Sequence, residues 1–258
     1  MSGGAPDFFY REAQRLGYVA RSAFKLLQMQ KQYKLITPGC SVLDLGCAPG
    51  AWLQVACQSL GPLENGGSVV GIDLKKVKVP TLCDSRVQTI SADVMNLPKD
   101  QIRKLSPLQK GFSVILSDMC PIVSGISTRD AALSAELGMR ALDLAVGGAA
   151  LAPTRNTEIQ SDSSSCSLED DSVLKPGGNL IIKLLESEDN KARSANRFLE
   201  SHRGCGLKLQ DHLLEKYILY VRVCVDLELR LMHKTNTSHG SPVGAMAYTC
   251  TGKLMFLK

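Results

Sequence analysis

Ser41-Val-Leu-Asp-Leu-Gly-Cys-Ala-Pro-Gly-Ala-Trp52 is the stretch of this 258-residue chain that decides its fold. Val42, Leu43 and Leu45 make an apolar run that is rich enough in branched residues to predict a short, buried parallel strand. Gly46 and Gly50 then break the strand, and residues 51–60 have the apolar spacing of a helix. Strand, glycine turn and helix in this order predict the opening of a nucleotide-binding α/β sheet. In such a sheet the glycines let the backbone approach a ligand, and the helix N-terminus offers free N–H groups.

Acidic residues indicate what kind of ligand this turn takes. The dinucleotide fingerprint G-x-G-x-x-G is absent, which disfavours a nucleotide-dependent oxidoreductase. Asp44 would repel phosphates, yet it suits a cationic ligand. Asp73 and Asp93 follow at the ends of the next two predicted strands. Each acid alone could be a helix cap, but three at the carboxyl ends of parallel strands indicate a ligand site.

The remaining chain predicts one α/β domain with few interruptions. Residues 7–32 and 131–146 have helical spacing, and the serine- and acid-rich residues 147–172 predict a disordered insertion or long surface loop. Leu174–Gly178 predicts a turn. Five stretches predict parallel strands of one sheet with helices on both faces: Ser41–Leu45, Ser68–Asp73, Val87–Ala92, Phe112–Ser117 and Asn179–Leu184.

The spelling D-L-G-C-A-P-G of residues 44–50 resembles the S-adenosylmethionine (SAM) loop of methyltransferases, in particular the FtsJ-like (RrmJ) family of RNA 2′-O-ribose methyltransferases. The resemblance implies a Rossmann-like methyltransferase fold with a mostly parallel, doubly wound sheet. It implies SAM as cofactor, no metal, and RNA as substrate, with ribosomal RNA (uridine) ahead of tRNA. Asp73 is expected at the SAM ribose and Asp93 at the adenine. The implied cofactor contacts are Asp44, Gly46, Cys47, Pro49, Gly50, Trp52, Asp73 and Asp93.

Three further segments resemble those that carry the Lys-Asp-Lys-Glu catalytic tetrad of this family. Arg21-Ser-Ala-Phe-Lys-Leu-Leu27 matches R-S-x-x-K-L and places Lys25 at the first position. Ser-Asp-Met-Cys-Pro places Asp118 at the second, and the strand after Pro-Gly-Gly places Lys183 at the third. A helical lysine usually only extends to solvent along an apolar face. A lysine at the end of a buried strand is unusual and favours function.

The loop after Asp118 departs from the family pattern at two positions. Cys120 stands where alanine is usual, and Ile122 stands where asparagine is usual, which removes a polar group beside the reaction centre. The loop also has no aromatic residue of the kind that amino methyltransferases use to grip a planar base. A ribose hydroxyl is therefore the expected target.

The C-terminal part departs further. The segment R-x-x-S-x-E-x-Y, which supplies the tetrad glutamate, occurs nowhere, and Glu215 and Glu228 lie outside any such motif. We therefore expect a methyltransferase domain over residues 1–190 and a divergent segment over 191–258, in which 217–225 can form a strand. Loss of the family's last strands would leave the sheet with an exposed edge. A catalytically impaired SAM- or RNA-binding variant is the alternative function.

Composition restricts the partners and the compartment. The net charge of +5 is compatible with RNA binding but argues for it only weakly. Nine cysteines without C-x-x-C spacing disfavour a zinc ribbon and a disulfide framework, and favour a reducing compartment. No apolar run has membrane-spanning length, and no signal peptide is visible. The expectation is a soluble, intracellular monomer that binds RNA but neither DNA nor membrane; family analogy leans towards the mitochondrion. An N-terminal aromatic and cationic set suits phosphates and bases: Tyr10, Arg11, Arg15, Tyr18 and Arg21.

Overall fold

A computed structural model describes part of the chain in full and two later strands by their backbone. The ranges are 8–147 and 171–185 with side chains, and 212–213 and 218–222 as backbone. All of them lie in the first of two compact units, Met1–Val225; the second, Asp226–Lys258, lies outside the described residues. The serine-rich centre of the predicted insertion and a helix that the sequence allows over 192–202 also lie outside them.

Seven strands form one sheet in the order β3-β2-β1-β4-β5-β7-β6. The first five strands pair in parallel, as the sequence predicts, whereas β7 runs antiparallel to β5 and to β6. The crossover from β3 to β4 places a topological switch between β1 and β4, where ligands bind in open α/β sheets. The strands are β1 Ser41–Leu45, β2 Ser68–Asp73, β3 Val87–Ser91, β4 Phe112–Ser117, β5 Leu174–Lys183, β6 His212–Leu213 and β7 Ile218–Arg222.

Helices cover both faces of the sheet and form two buried clusters. Helices α2 and α3 pack on one face, where Leu26 lies in the same buried cluster as Val42. Helices α4 and α5 pack on the other, where Ile102 lies in the same cluster as Leu43. Val42 and Leu43 belong to opposite clusters because successive strand residues point to opposite faces. The helices are α1 Phe8–Arg15, α2 Ala23–Tyr33, α3 Ala51–Ser59, α4 Lys99–Lys104 and α5 Ser127–Val146.

The stretch 7–32, predicted to be mostly helical, forms two helices with a break between Arg15 and Ala23. The chain turns at Gly17, whose φ of +80° is unfavourable for other residues. The buried side chain of Gln54 on α3 holds this turn: its Nε2 donates to the Gly17 carbonyl at 2.9 Å, and its Oε1 accepts from the Val19 N–H at 2.8 Å. A contact across 35 residues or more is not visible in local spacing.

Strand β5 begins earlier than predicted. Residues 174–178, predicted to be a turn, form the start of β5, with a register shift opposite the segment between Phe112 and Val114. Asp171, near the end of the predicted insertion, forms a 3.0 Å ion pair with Lys99 on α4. The ordered domain therefore resumes before residue 174.

Strand β7 covers the edge of β5. Its residues Ile218–Arg222 lie inside the stretch 217–225 that the sequence allows as a strand. Because β7 pairs with β5 from Lys183 to Asn179, β5 is an interior strand and not an exposed edge. Within the ranges described with side chains, no helix is long and apolar enough to cross a membrane.

Candidate active site

The glycine turn after β1 leaves no room for side chains. Gly46 has a φ of +76°, and a Cβ there would lie 2.9 Å from the Met119 backbone after β4. Gly50 has a φ of +111°, and its Cβ would lie 2.7 Å from Pro80. Both positions therefore require glycine for conformation and for space. The turn lies between the ends of neighbouring strands, and a ligand bound there would contact the backbone of the turn.

Asp73 ties this turn to the end of β2. Its Oδ2 accepts from the Ala48 N–H at 2.9 Å, and its Oδ1 accepts from the Lys75 N–H at 2.8 Å. The Gly46 N–H donates to the Ile72 carbonyl at 2.8 Å. The family resemblance predicts Asp73 beside the ribose of the cofactor. In the structure, Asp73 also holds the turn itself.

Asp44 is the most unusual group of the site. It is fully buried, and neither of its carboxylate oxygens has a hydrogen-bond partner among the described residues. Burial, and then the nearby carboxylates of Asp118 and Asp73, raise its pKa well above the usual value. The buried Ser117 Oγ, directly before Asp118, also has no partner within this part of the chain. Buried polar atoms are almost always satisfied, so this pattern suits a cationic or hydrogen-bonding ligand at this position.

Asp93 caps the turn that follows β3. Its Oδ1 accepts from the Met95 N–H at 3.0 Å, and its Oδ2 accepts from the Asn96 amide at 2.7 Å. Asp93 therefore has the capping role that the sequence allows for each of the three acids. Each carboxylate oxygen keeps a second lone pair, so the cap leaves Asp93 able to accept a further bond from an adenine amino group.

Arg140 on α5 holds the same turn from behind. Its Nε donates to the Val94 carbonyl at 3.0 Å, and a terminal nitrogen donates to the Leu97 carbonyl at 2.6 Å. Asp143 fixes the guanidinium through a 2.7 Å ion pair and also pairs with Lys99 at 2.7 Å. Sequence reasoning missed Arg140, because its partners are backbone carbonyls more than 40 residues away.

Replacing Arg140 with glutamine should weaken SAM binding about tenfold, since two charge-assisted bonds to the Asp93 turn would be lost. Arg103→Gln is the matched control: Arg103 donates to the Gln109 and Ser172 carbonyls, both at 3.2 Å, away from the turn. Calorimetric titration with SAM distinguishes the two variants. An equal loss of affinity in both would show that Arg140 has a general structural role only.

Asp118 and Lys183 form an ion pair at the carboxyl ends of neighbouring strands. Lys183 Nζ donates to Asp118 Oδ1 and lies 3.5 Å from the Asp118 carbonyl. Both side chains are about four-fifths buried, with 18% and 19% of their surfaces exposed. Burial raises the pKa of Asp118, although attraction to Lys183 and then to Lys25 opposes the rise. The structure therefore brings all three predicted groups close enough to interact.

Trp52 positions the helix that carries Lys25. The indole is almost fully buried, and its Nε1 donates to the Ser22 carbonyl at 3.0 Å, at the start of α2. The side chain thus faces α2 and the core, which leaves the backbone of Trp52 for any cofactor contact. Cys47 is also buried, and burial raises the pKa of its thiol. Pro49 is exposed in the turn, between the buried residues Cys47 and Gly50.

Comparisons with known proteins show which proteins this chain is similar to. A ribosomal RNA large subunit methyltransferase E of Desulfatibacillum aliphaticivorans is 35% identical over 199 residues, which cover 76% of this chain and 80% of the relative. The enzyme of that name from Archaeoglobus fulgidus is 34% identical over 203 residues, 76% of this chain and 86% of its own. A crystal structure of a Plasmodium falciparum protein described as a ribosomal RNA methyltransferase has a TM-score of 0.56 at 20% identity. It covers 81% of this chain and 99% of its own, and supports the fold alone.

The model of the FtsJ-like methyltransferase family matches residues 18–208. This range contains the glycine turn, the three acids at the strand ends, and the Asp118–Lys183 ion pair. It ends within the segment 191–258, whose sequence lacks the family's glutamate motif. With most of its length matched, the chain belongs to the FtsJ-like methyltransferase family.

Proposed function

We propose that this chain is a SAM-dependent methyltransferase that methylates a ribose 2′-hydroxyl of RNA, with large-subunit ribosomal RNA as the substrate and uridine as the target base. The observation that carries the proposal is the buried Asp118–Lys183 ion pair beside the glycine turn, with Lys25 near enough to act on Asp118. The relatives' names support ribosomal RNA, and the non-aromatic loop after Asp118 favours a ribose over a base.

The residues of the turn fit SAM, which supplies an electrophilic methyl group on a positively charged sulfur. Asp44 offers a buried negative group without a partner, to which a cationic amino-acid moiety is complementary. Gly46 and Gly50 permit the tight turn, since a Cβ at either position would collide with neighbouring atoms. Asp73 would hold the ribose hydroxyls and Asp93 the adenine, each through the lone pairs that their backbone contacts leave open.

The lysines act on the acceptor oxygen. A ribose hydroxyl is a poor nucleophile until its proton is removed or its developing charge is stabilised. The ion pair with Asp118 keeps the Lys183 ammonium in a fixed position, which favours electrostatic stabilisation of that oxygen over removal of its proton by Lys183. Lys25 adds a second positive charge. The set of Lys25, Asp118 and Lys183 is then net positive, which suits a phosphate backbone and a developing oxyanion.

The missing glutamate motif supports a second function, a SAM- and RNA-binding protein with impaired catalysis. The glutamate would balance the second lysine and help to hold the ribose. Without it we expect methyl transfer slowed by about 10²-fold, the cost attached to the loss of one positioning group. A chimera with a family-like C-terminal segment should recover this factor in single-turnover rate. A chimera that is no faster than the parent would show that the glutamate is not needed.

Transfer of a radiolabelled methyl group to unmodified RNA tests the proposal. We expect labelling of large-subunit ribosomal RNA and little labelling of tRNA, after calorimetry has established that the chain binds SAM. Preferred labelling of tRNA would overturn the choice of substrate. SAM and RNA binding without any labelling would favour the second function.

A further inference from the structure

The loop between β4 and α5 displays large apolar side chains beside the proposed site. Ile122 is 94% exposed and Val123 64% exposed, and Ile126 is also largely exposed. Exposed aliphatic surface costs about 25 cal/mol per Å² relative to burial. Single exposed residues are ordinary, but contiguous ones commonly mark a binding surface.

A buried carboxylate fixes the backbone of this loop. Asp130 on α5 is nearly inaccessible, and its Oδ1 accepts from the Ser124 N–H at 2.9 Å and the Ser124 hydroxyl at 2.7 Å. Its Oδ2 accepts from the Gly125 N–H at 3.1 Å. The apolar residues are therefore held in place before any ligand arrives, which lowers the entropic cost of binding.

The loop begins directly at the proposed acceptor site. Ile122 lies four positions after Asp118, so their Cα atoms are at most about 14 Å apart. Lys183 and Lys25 both interact with Asp118, and the two lysines together carry one more charge than this one carboxylate. A strand of RNA that presents its ribose to Lys183 would thus have phosphates near the lysines and a base within reach of the loop.

We propose that Ile122 and Val123 form an apolar ledge against which a base of the RNA strand, at or next to the methylated nucleotide, packs its face. This rests on the proposed function. A base offers a flat apolar face with polar groups at its edge, and the ledge offers no side-chain donor because the Ser124 hydroxyl is bound to Asp130. Contact of this kind adds affinity with little preference for base identity, as stacking contacts do.

The ledge is tested with the double variant Ile122→Ser/Val123→Ser. The matched control is Leu63→Ser/Leu108→Ser, which removes two leucines that are 54% and 82% exposed near the opposite, amino-terminal ends of the strands. We expect the ledge variant to raise KM for RNA about tenfold, equivalent to about 1.4 kcal/mol. The Kd for SAM should remain unchanged. The control should have the parent's KM.

Crosslinking identifies the occupant. The photoreactive residue p-benzoylphenylalanine at position 122 should crosslink to RNA when the chain is mixed with large-subunit particles. A crosslink to a ribosomal protein instead, or an unchanged KM for RNA in the ledge variant, would overturn the proposal. If the parent methylates no RNA, the proposed function fails separately. The ledge is then judged by equilibrium RNA binding, where equal affinity of parent and ledge variant contradicts it.

Discussion

Replacing Lys183 with alanine should slow methyl transfer at saturating SAM and RNA by about 10²–10⁴-fold, the range for loss of one group that acts on a reacting proton or charge. Lys183 forms a buried ion pair with Asp118. Its loss removes stabilisation of the acceptor oxygen and also leaves Asp118 buried without its ion-pair partner. Single-turnover rates measure the chemical effect, and circular dichroism checks that the fold persists.

Lys175→Ala is the matched control for this change. Lys175 lies on the same strand, eight residues earlier by position, and its Nζ donates to the Ser41 hydroxyl at 3.3 Å. It is therefore a half-buried lysine of β5 at the end remote from the site. We expect it to react at nearly the parent rate. A Lys183→Ala variant that is folded and as fast as the Lys175→Ala control would contradict the proposed role of Lys183.

Replacing Asp44 with asparagine should have opposite effects on stability and on binding. The buried carboxyl has a raised pKa and no partner among the described residues, so a neutral amide of the same shape relieves an unfavourable group. We expect the free protein to gain about 2–4 °C in Tm, the shift that 1 kcal/mol gives for a domain of this size. SAM affinity should fall by about 10²-fold, because a charge in the ligand loses its partner.

The pH dependence gives this prediction a second readout. Because the folded-state pKa of Asp44 is raised, its protonated form contributes stability below the unfolded pKa, and that contribution is lost as pH rises through the folded value. The Asp44→Asn variant should lack this loss. Asp84 provides the contrast, since hydrogen bonds from Arg86 lower its pKa to about 2. Its stabilisation is present above the unfolded pKa and lost in acid, so Asp84→Asn should not raise Tm.

The sheet could be predicted from the sequence because its strands are local. Ser41–Leu45 and Phe112–Ser117 are short apolar runs bounded by turns, and their boundaries match the structure. The parallel arrangement follows from the alternation of strands with helices. The pairing of Asp118 with Lys183 was also predictable, since both residues end strands that the family's order places side by side.

The contacts that tune the site could not be predicted in this way. Gln54, Arg140 and Asp130 hold turns through backbone groups, and any polar residue at those positions has the same local pattern. The inward orientation of the Trp52 indole depends on the packing of α2 against α3. Spacing along the chain reports which face a side chain shares, but the partner that it meets depends on the assembled fold.

The most direct test of ribose methylation is the position of the transferred methyl group. RNA labelled by this chain with radioactive SAM would be hydrolysed in alkali, which requires a free 2′-hydroxyl, and the products separated by size. We expect the label in dinucleotides that resist cleavage, and almost no label from the Lys183→Ala variant. Label recovered in mononucleotides would place the methyl group on a base and contradict methylation of the ribose.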